Sequence, residues 1–231
     1  NIQNRSVTLL IDFTEMKEVF NRFVPEDICK EIGLKGYERI ILWSSKLKYM
    51  SVMFLDIVGF TKMSEEISPE RTLMLLNIYF DGIWEIVYKN GGYIDKFLGD
   101  GVMILFDQPH TDNVLIAAIE IQDFIKQFQI STLGKKINVW IGINTGEVII
   151  GTIGTKKRMD ATVVWDAVNT ASRIENLTRK MEKNILISRA TFEKIKNPNQ
   201  FSIRYLWEEI VKGKGNPINL YCVEEHYNIN A

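Results

Sequence analysis

An α/β sandwich, one layer of sheet covered by helices on a βαββαβ core, is the fold this sequence predicts. Three observations lead there. Short apolar runs suited to strands are interleaved with longer segments whose apolar residues recur at helical spacing. Read in order, these segments run strand, helix, hairpin, helix, strands, helix, strand, an order that puts helices against one sheet. The composition agrees: 231 residues, 46% hydrophobic and 25% charged, are enough to bury a substantial core without disulfides or structural metals.

The first segment, Asn1 to about Ser44, reads as helical, because Leu9, Phe13, Met16, Phe20 and Phe23 recur at helical spacing until Pro25 breaks the run. It carries no cluster of reactive side chains, so residues 1–47 are expected to be a linker or dimerisation segment. Residues 48–231 form the main domain. Tyr49–Leu55 has the pattern of a buried strand that runs into Asp56. A helix follows, with Ser68 as its N-cap and Pro69 in its first turn. Leu73, Leu76, Phe80, Ile83 and Val87 supply its apolar face, and Asn90-Gly91-Gly92 ends it. Tyr93–Phe97 and Val102–Phe106 are then joined by Leu98-Gly99-Asp100-Gly101, a hairpin signal.

A second helix fits Asp112–Phe128, with Val114, Ala117, Ala118, Ile121, Ile125 and Phe128 on one face. Lys136–Ile143 and Glu147–Gly151 read as two strands around a turn at Asn144-Thr145-Gly146. A third helix is expected from about Asp166 to before Asn184, and Ile185–Ser188 reads as a strand. There are no internal repeats or low-complexity tracts.

Composition also excludes some functions. A formal net charge of −1 gives no global attraction to nucleic acid or anionic lipid, so no nucleic-acid partner is expected. The two cysteines, Cys29 and Cys222, are too far apart for a CxxC motif and fit a reducing, cytoplasmic compartment. The two histidines, His110 and His226, cannot make a His-rich metal site and are expected at the surface. The longest candidate for a membrane span, Tyr49–Phe60, is short and contains Asp56. The chain opens on Asn1 rather than Met, so a fragment is expected.

Asp56 closes an apolar strand and Asp100 lies between two glycines at a hairpin tip. Carboxylates so placed can converge, and Mg2+ favours one or two carboxylates with substrate phosphates completing its octahedron. Taken singly, each has an ordinary alternative: Asp56 as a strand-end cap, Asp100 as a turn former. Asn169 and Arg173 are four apart and share a helix face, which by itself could be a solvated surface.

Three blocks occur together and in order: Phe54-Leu55-Asp56-Ile57-Val58-Gly59-Phe60-Thr61, Asp95-Lys96-Phe97-Leu98-Gly99-Asp100-Gly101 and Val168-Asn169-Thr170-Ala171-Ser172-Arg173. They resemble the signature blocks of the class III adenylate and guanylate cyclases, over about Tyr49 to Tyr227. The resemblance implies a ferredoxin-like catalytic core that forms 3′,5′-cyclic AMP and pyrophosphate from ATP. It implies two Mg2+ or Mn2+ ions per site, held by Asp56, Asp100 and the Ile57 carbonyl. Main-chain N–H groups at Gly59, Phe60 and Thr61 would meet the phosphates, and Lys212 the terminal ones. Lys96 and Thr162 would read the purine, while Asn169 and Arg173 orient the ribose and stabilise the transition state.

Lys96 with Thr162 can satisfy adenine N1 and its 6-amino group, whereas guanine calls for a carboxylate at the lysine position. ATP is therefore expected over GTP. Two positions depart from the family pattern: Trp165 stands where many members have Gly, and Glu147 where some have a phosphate-binding Arg. The resemblance further implies a head-to-tail homodimer, metals on one chain and base and Arg on the other. A guanylate cyclase and a non-catalytic nucleotide sensor on the same fold are the alternatives. A diguanylate cyclase lacks its hairpin motif here, and an RNA-binding sheet has little support.

Overall fold

The computed structural model describes residues 45–108, 110–132, 137–155, 157–209 and 217–227. The expected N-terminal helix up to Ser44, and Lys212, lie outside the described residues. The chain divides into two compact units, one of residues 47–148 and 164–231, the other of residues 149–163 together with 1–46.

In chain order the elements are β1 (Ser45–Ile57), α1 (Phe60–Glu65), α2 (Pro69–Lys89), β2 (Gly92–Leu98), β3 (Gly101–Asp107) and α3 (Thr111–Thr132). They continue with β4 (Val139–Thr155), β5 (Arg158–Val164), α4 (Asp166–Met181), β6 (Ile185–Ser188), α5 (Arg189–Phe192), β7 (Phe201–Glu209) and β8 (Ile218–Tyr227). The sheet order is β2-β3-β1-β4-β6-β8-β7, with β5 paired to β4. The first four strands of that order, with α2 and α3, are the βαββαβ core expected from the sequence. β6 joins β4 in parallel, and β8 and β7 extend the sheet antiparallel.

Local chemistry sets the ends of α2 where the sequence placed them. The Ser68 side chain accepts from the Arg71 N–H at the start of α2, with Pro69 as its first residue. Asn90 caps the far end, its side chain donating to the Ile86 carbonyl and to Glu120 of α3. The buried stripe of α2, however, is Leu75, Tyr79, Ile83 and Val87, while Leu73 is 63% exposed. The stripe at i, i+4 spacing puts Leu75 and Tyr79 deepest, while the expected Leu76 and Phe80 pack partly buried against the same core.

In the larger unit one core lies between the sheet and α2 and α3, and a second cluster joins α4 to the sheet. β6 feeds both: Ile185 and Ile187 belong to the first, Leu186 to the second. The sheet is thus covered on both faces at β6.

The turn expected at Asn144-Thr145-Gly146 does not exist; β4 runs through it as one strand. Thr145 sits in a buried hydroxyl network, 2.7 Å from Ser51 Oγ and 3.1 Å from Thr191 Oγ1. Asn144 and Gly146 face the start of α4 instead. In the smaller unit, the outer part of β4 turns into β5 through Gly154 (φ 138°), and Thr155 Oγ1 accepts from the N–H groups of Lys157 and Arg158.

Candidate active site

Register brings the first two carboxylates together. β1 and β3 pair antiparallel with Leu55 opposite Val102, which sets Asp56 across from Gly101 and beside Asp100. A Cβ on Gly101 would lie 3.1 Å from the Leu55 carbonyl and 3.4 Å from Asp56 Oδ1. The β2–β3 turn can therefore close over the end of β1. The strand's end is tied down further along, where the Val58 N–H donates to the Asn138 carbonyl at 2.9 Å.

The electrostatics show how closely the groups crowd. Burial pushes the Asp56 carboxyl up to about 6, aided by the charge of Asp100 and a hydrogen bond between the two side chains. Arg179 and the Ile57 backbone pull in the other direction. Glu175, buried on α4, is pushed up to about 7 by burial first and the Asp56 charge second. The Tyr79 hydroxyl is fully buried and has no hydrogen-bond partner among the described residues, and burial followed by the charges of Asp100 and Asp56 holds it well above the usual phenol range. The Arg179 guanidinium reaches within 3.6 Å of Asp56 Oδ2.

α4 is seated by specific contacts from β4. Asn144 Nδ2 donates to the Ala167 carbonyl at 3.0 Å, and a Cβ on Gly146 would lie 3.1 Å from that of Ala167. One turn on, Gly142 allows the helix backbone itself to approach: a Cβ there would lie 2.1 Å from the Glu175 nitrogen. Trp165, just before the helix, has φ 135° and ψ 179°, a conformation that favours glycine.

The buried side of α4 is formed by Ala167, Thr170, Ala171, Ile174, Glu175, Thr178 and Met181. Asn169 is exposed and Arg173 half-buried. At about 100° per residue, Arg173 lies about 200° around the helix from Glu175 and about 240° from Arg179. Asn169 is also ten positions before Arg179, about 15 Å along the axis. The face presenting Asn169 and Arg173 is thus not the one that meets Asp56 in the same chain.

Lys96 lies on β2 just after a register shift between Ile94 and Lys96, which tucks Asp95 inward. Its ammonium is 3.6 Å from the buried Asp95 carboxylate. Thr162 is buried on β5 in the smaller unit. Gly59 (φ 70°) opens α1, whose first N–H groups, from Phe60 onward, have no intrahelical acceptor. Arg179, Glu175 and Tyr79 were absent from the set read off the sequence. A glutamate inside the buried stripe of α4 was the one readable sign.

The Asp56–Asp100 pair fits a hard divalent cation. Burial and the charge of the neighbouring Asp100 both disfavour the ionised form of Asp56, a cost that a bound cation would offset. Among the described residues no three His, Cys, Asp or Glu side chains form a self-sufficient metal cage. Two carboxylates, the Ile57 carbonyl and substrate phosphates are the kind of donor set Mg2+ takes. Among the described residues no helix is long and apolar enough to cross a membrane.

Comparison with known proteins agrees with this geometry. The sequence profile of the adenylate and guanylate cyclase catalytic domain matches residues 43–225. An adenylate cyclase of Anabaena cylindrica is 37% identical over 97% of this chain and 47% of its own length. A terminal-differentiation-specific adenylate cyclase of Dictyostelium discoideum is 34% identical over 90% of this chain and 10% of its own. The chain therefore spans less than half of either relative. Among solved structures, a bacterial light-regulated adenylyl cyclase superimposes with TM-score 0.84 at 26% identity, covering 95% of this chain and 63% of that one. The adenylyl cyclase CyaB from P. aeruginosa gives 0.70 at 34% identity, covering 78% and 95%. Profile, sequence and fold converge: the chain belongs to the adenylate and guanylate cyclase catalytic-domain family, the class III nucleotidyl cyclases.

Proposed function

We propose that the chain is an adenylate cyclase domain that converts ATP to 3′,5′-cyclic AMP and pyrophosphate, for intracellular signalling in the cytoplasm. The observation that carries this reading is the β1/β3 register that sets Asp56 beside Asp100, next to a helix that presents Asn169 and Arg173 on another face. The names of the Anabaena and Dictyostelium relatives support ATP as substrate, as does a lysine at position 96.

Two Mg2+ or Mn2+ ions held by Asp56, Asp100 and the Ile57 carbonyl would stabilise charge on the phosphates and ease ionisation of the ribose 3′-hydroxyl. The 3′-oxygen gives up its proton to solvent water and forms a bond to the α-phosphorus. The bond from that phosphorus to the β-phosphate oxygen breaks, and pyrophosphate leaves with the electron pair. Arg173 supplies fixed positive charge where negative charge develops, and Asn169 orients the ribose. Lys96 and Thr162 read the adenine edge. The N–H groups at Gly59, Phe60 and Thr61, with Lys212, hold the phosphates.

The separation of faces on α4 favours a head-to-tail homodimer, in which Asp56 and Asp100 of one chain meet Asn169 and Arg173 of the other. A sensor or membrane module upstream would then act by changing how two chains meet.

Product analysis with ATP or GTP, and with Mg2+ or Mn2+, tests the reaction. Cyclic AMP from ATP, lost in Asp56→Ala and reduced about 10²–10³-fold in Arg173→Ala, is the expected result. Cyclic GMP instead would overturn the base reading. Mixing the two inactive variants should restore one intact site per heterodimer. Heterodimers that form and stay inactive would refute the shared site.

A further inference from the structure

We infer that Arg179 is a polyphosphate-binding residue of this site, holding the β- and γ-phosphates from the same chain as Asp56 and Asp100. The inference rests on the cyclase reading and goes beyond the residues assigned there.

The guanidinium of Arg179 lies 3.6 Å from Asp56 Oδ2, which is ion-pair contact but too long for a hydrogen bond. Its five N–H donors form no hydrogen bond among the described residues. The side chain is 67% exposed at the mouth of a site whose other side chains are acidic or buried: Asp56, Asp100, Glu175 and Tyr79. A triphosphate drawn to that pair brings several negative oxygens beside an arginine with unused donors. Arginine suits this task because it stays charged and binds phosphate oxygens through two parallel N–H groups.

The helix supplies the position. Arg179 is one turn beyond Glu175 on nearly the same side of α4, so the close seat at Gly142 that brings Glu175 to the site also aims Arg179 at Asp56. When the bond to the α-phosphorus breaks, negative charge gathers on the departing pyrophosphate. A guanidinium fixed beside that leaving group favours its departure and slows its release.

The test measures binding of pyrophosphate by calorimetry in the presence of saturating Mg2+, and separately of Mn2+ alone. Wild type is compared with Arg179→Ala, Arg179→Lys and Asp56→Ala. Arg179→Ala is expected to weaken pyrophosphate about 10- to 100-fold, the range for a charge-assisted hydrogen-bonded contact. Lysine should recover part of the loss. Mn2+ affinity without pyrophosphate should hold or rise in Arg179→Ala, because a neighbouring cation has been removed. Pyrophosphate affinity within twofold of wild type would overturn the inference, as would a parallel fall in Mn2+ affinity, which would mean the residue only shapes the carboxylate pair. If Asp56→Ala binds magnesium pyrophosphate as tightly as wild type, the cyclase reading falls and this inference with it.

Discussion

Gly142→Ala places a single methyl group between β4 and α4, and its effect can be worked out from distances. The new Cβ would lie 2.1 Å from the Glu175 nitrogen, 2.4 Å from its Cα and 2.7 Å from its Cβ. The two closest atoms are backbone, so no rotamer change relieves the clash. Raising 2.1 Å to the 3.4 Å of ordinary contact needs the helix to leave the strand by about 1.3 Å. Overpacking of this kind costs about 1–3 kcal/mol, and a contact with no yielding side chain belongs at the upper end. For a chain of this size that is a fall in Tm of about 6–12 °C. The functional loss should be larger than the stability loss suggests, because α4 carries Asn169 and Arg173. A displacement of about 1 Å at reacting groups costs about 10²-fold in rate. Thermal unfolding by circular dichroism and cyclic AMP production by the same preparation measure the two effects. A variant whose Tm lies within 2 °C of wild type, with activity within about twofold, would show that α4 is not held by this approach, and the reasoning would fail.

Two further outcomes follow from the same region. Glu175 sits at about 7 in the folded chain against 4.5 for a free glutamate, so the folded state keeps a proton that the unfolded state has lost between those values. Metal-free stability should therefore fall as pH rises from about 4.5 to about 7, by up to about 3 kcal/mol, and level off above. Glu175→Gln should remove the part of that slope above about pH 6, where the raised Asp56 no longer contributes, and melt higher at pH 8. An unchanged slope there in urea titrations would refute the burial argument. Trp165 holds a backbone conformation that costs a non-glycine residue about 1–3 kcal/mol, so Trp165→Gly should raise Tm by at least about 2 °C. A lower Tm would mean that contacts of the indole outweigh the strain.

The parts of this molecule that were legible in its sequence are those where a local rule and the tertiary environment agree. Ser68-Pro69 reads as a helix start because capping is settled within four residues, and the six positions chosen for the buried face of α3 are all buried. Asn144-Thr145-Gly146 misled because its residue types suit a turn, yet each is required by something distant in sequence. Asn144 reaches Ala167, Thr145 reaches Ser51 and Thr191, and Gly146 admits the start of α4. Asp56 and Asp100 are legible singly only as a strand end and a turn, and the resemblance of three ordered blocks is what singles them out; antiparallel pairing brings the two side by side. Arg179 could not be found that way. Its meeting with Asp56 depends on how closely a helix packs on a strand, and no spacing in the sequence encodes that depth.

If two chains meet head to tail as proposed, the two faces of α4 have a genetic consequence. In a head-to-tail dimer its outer face serves one site, while Glu175 and Arg179 on its flank adjoin the other. Loss of Asp56 in one chain and of Arg173 in the other leaves one site whole, so those alleles complement. A chain with a displaced α4 spoils the partner's site through Asn169 and Arg173 and its own through Arg179. Co-expressed with wild type, such an allele should be dominant, because no site in the mixed dimer escapes it.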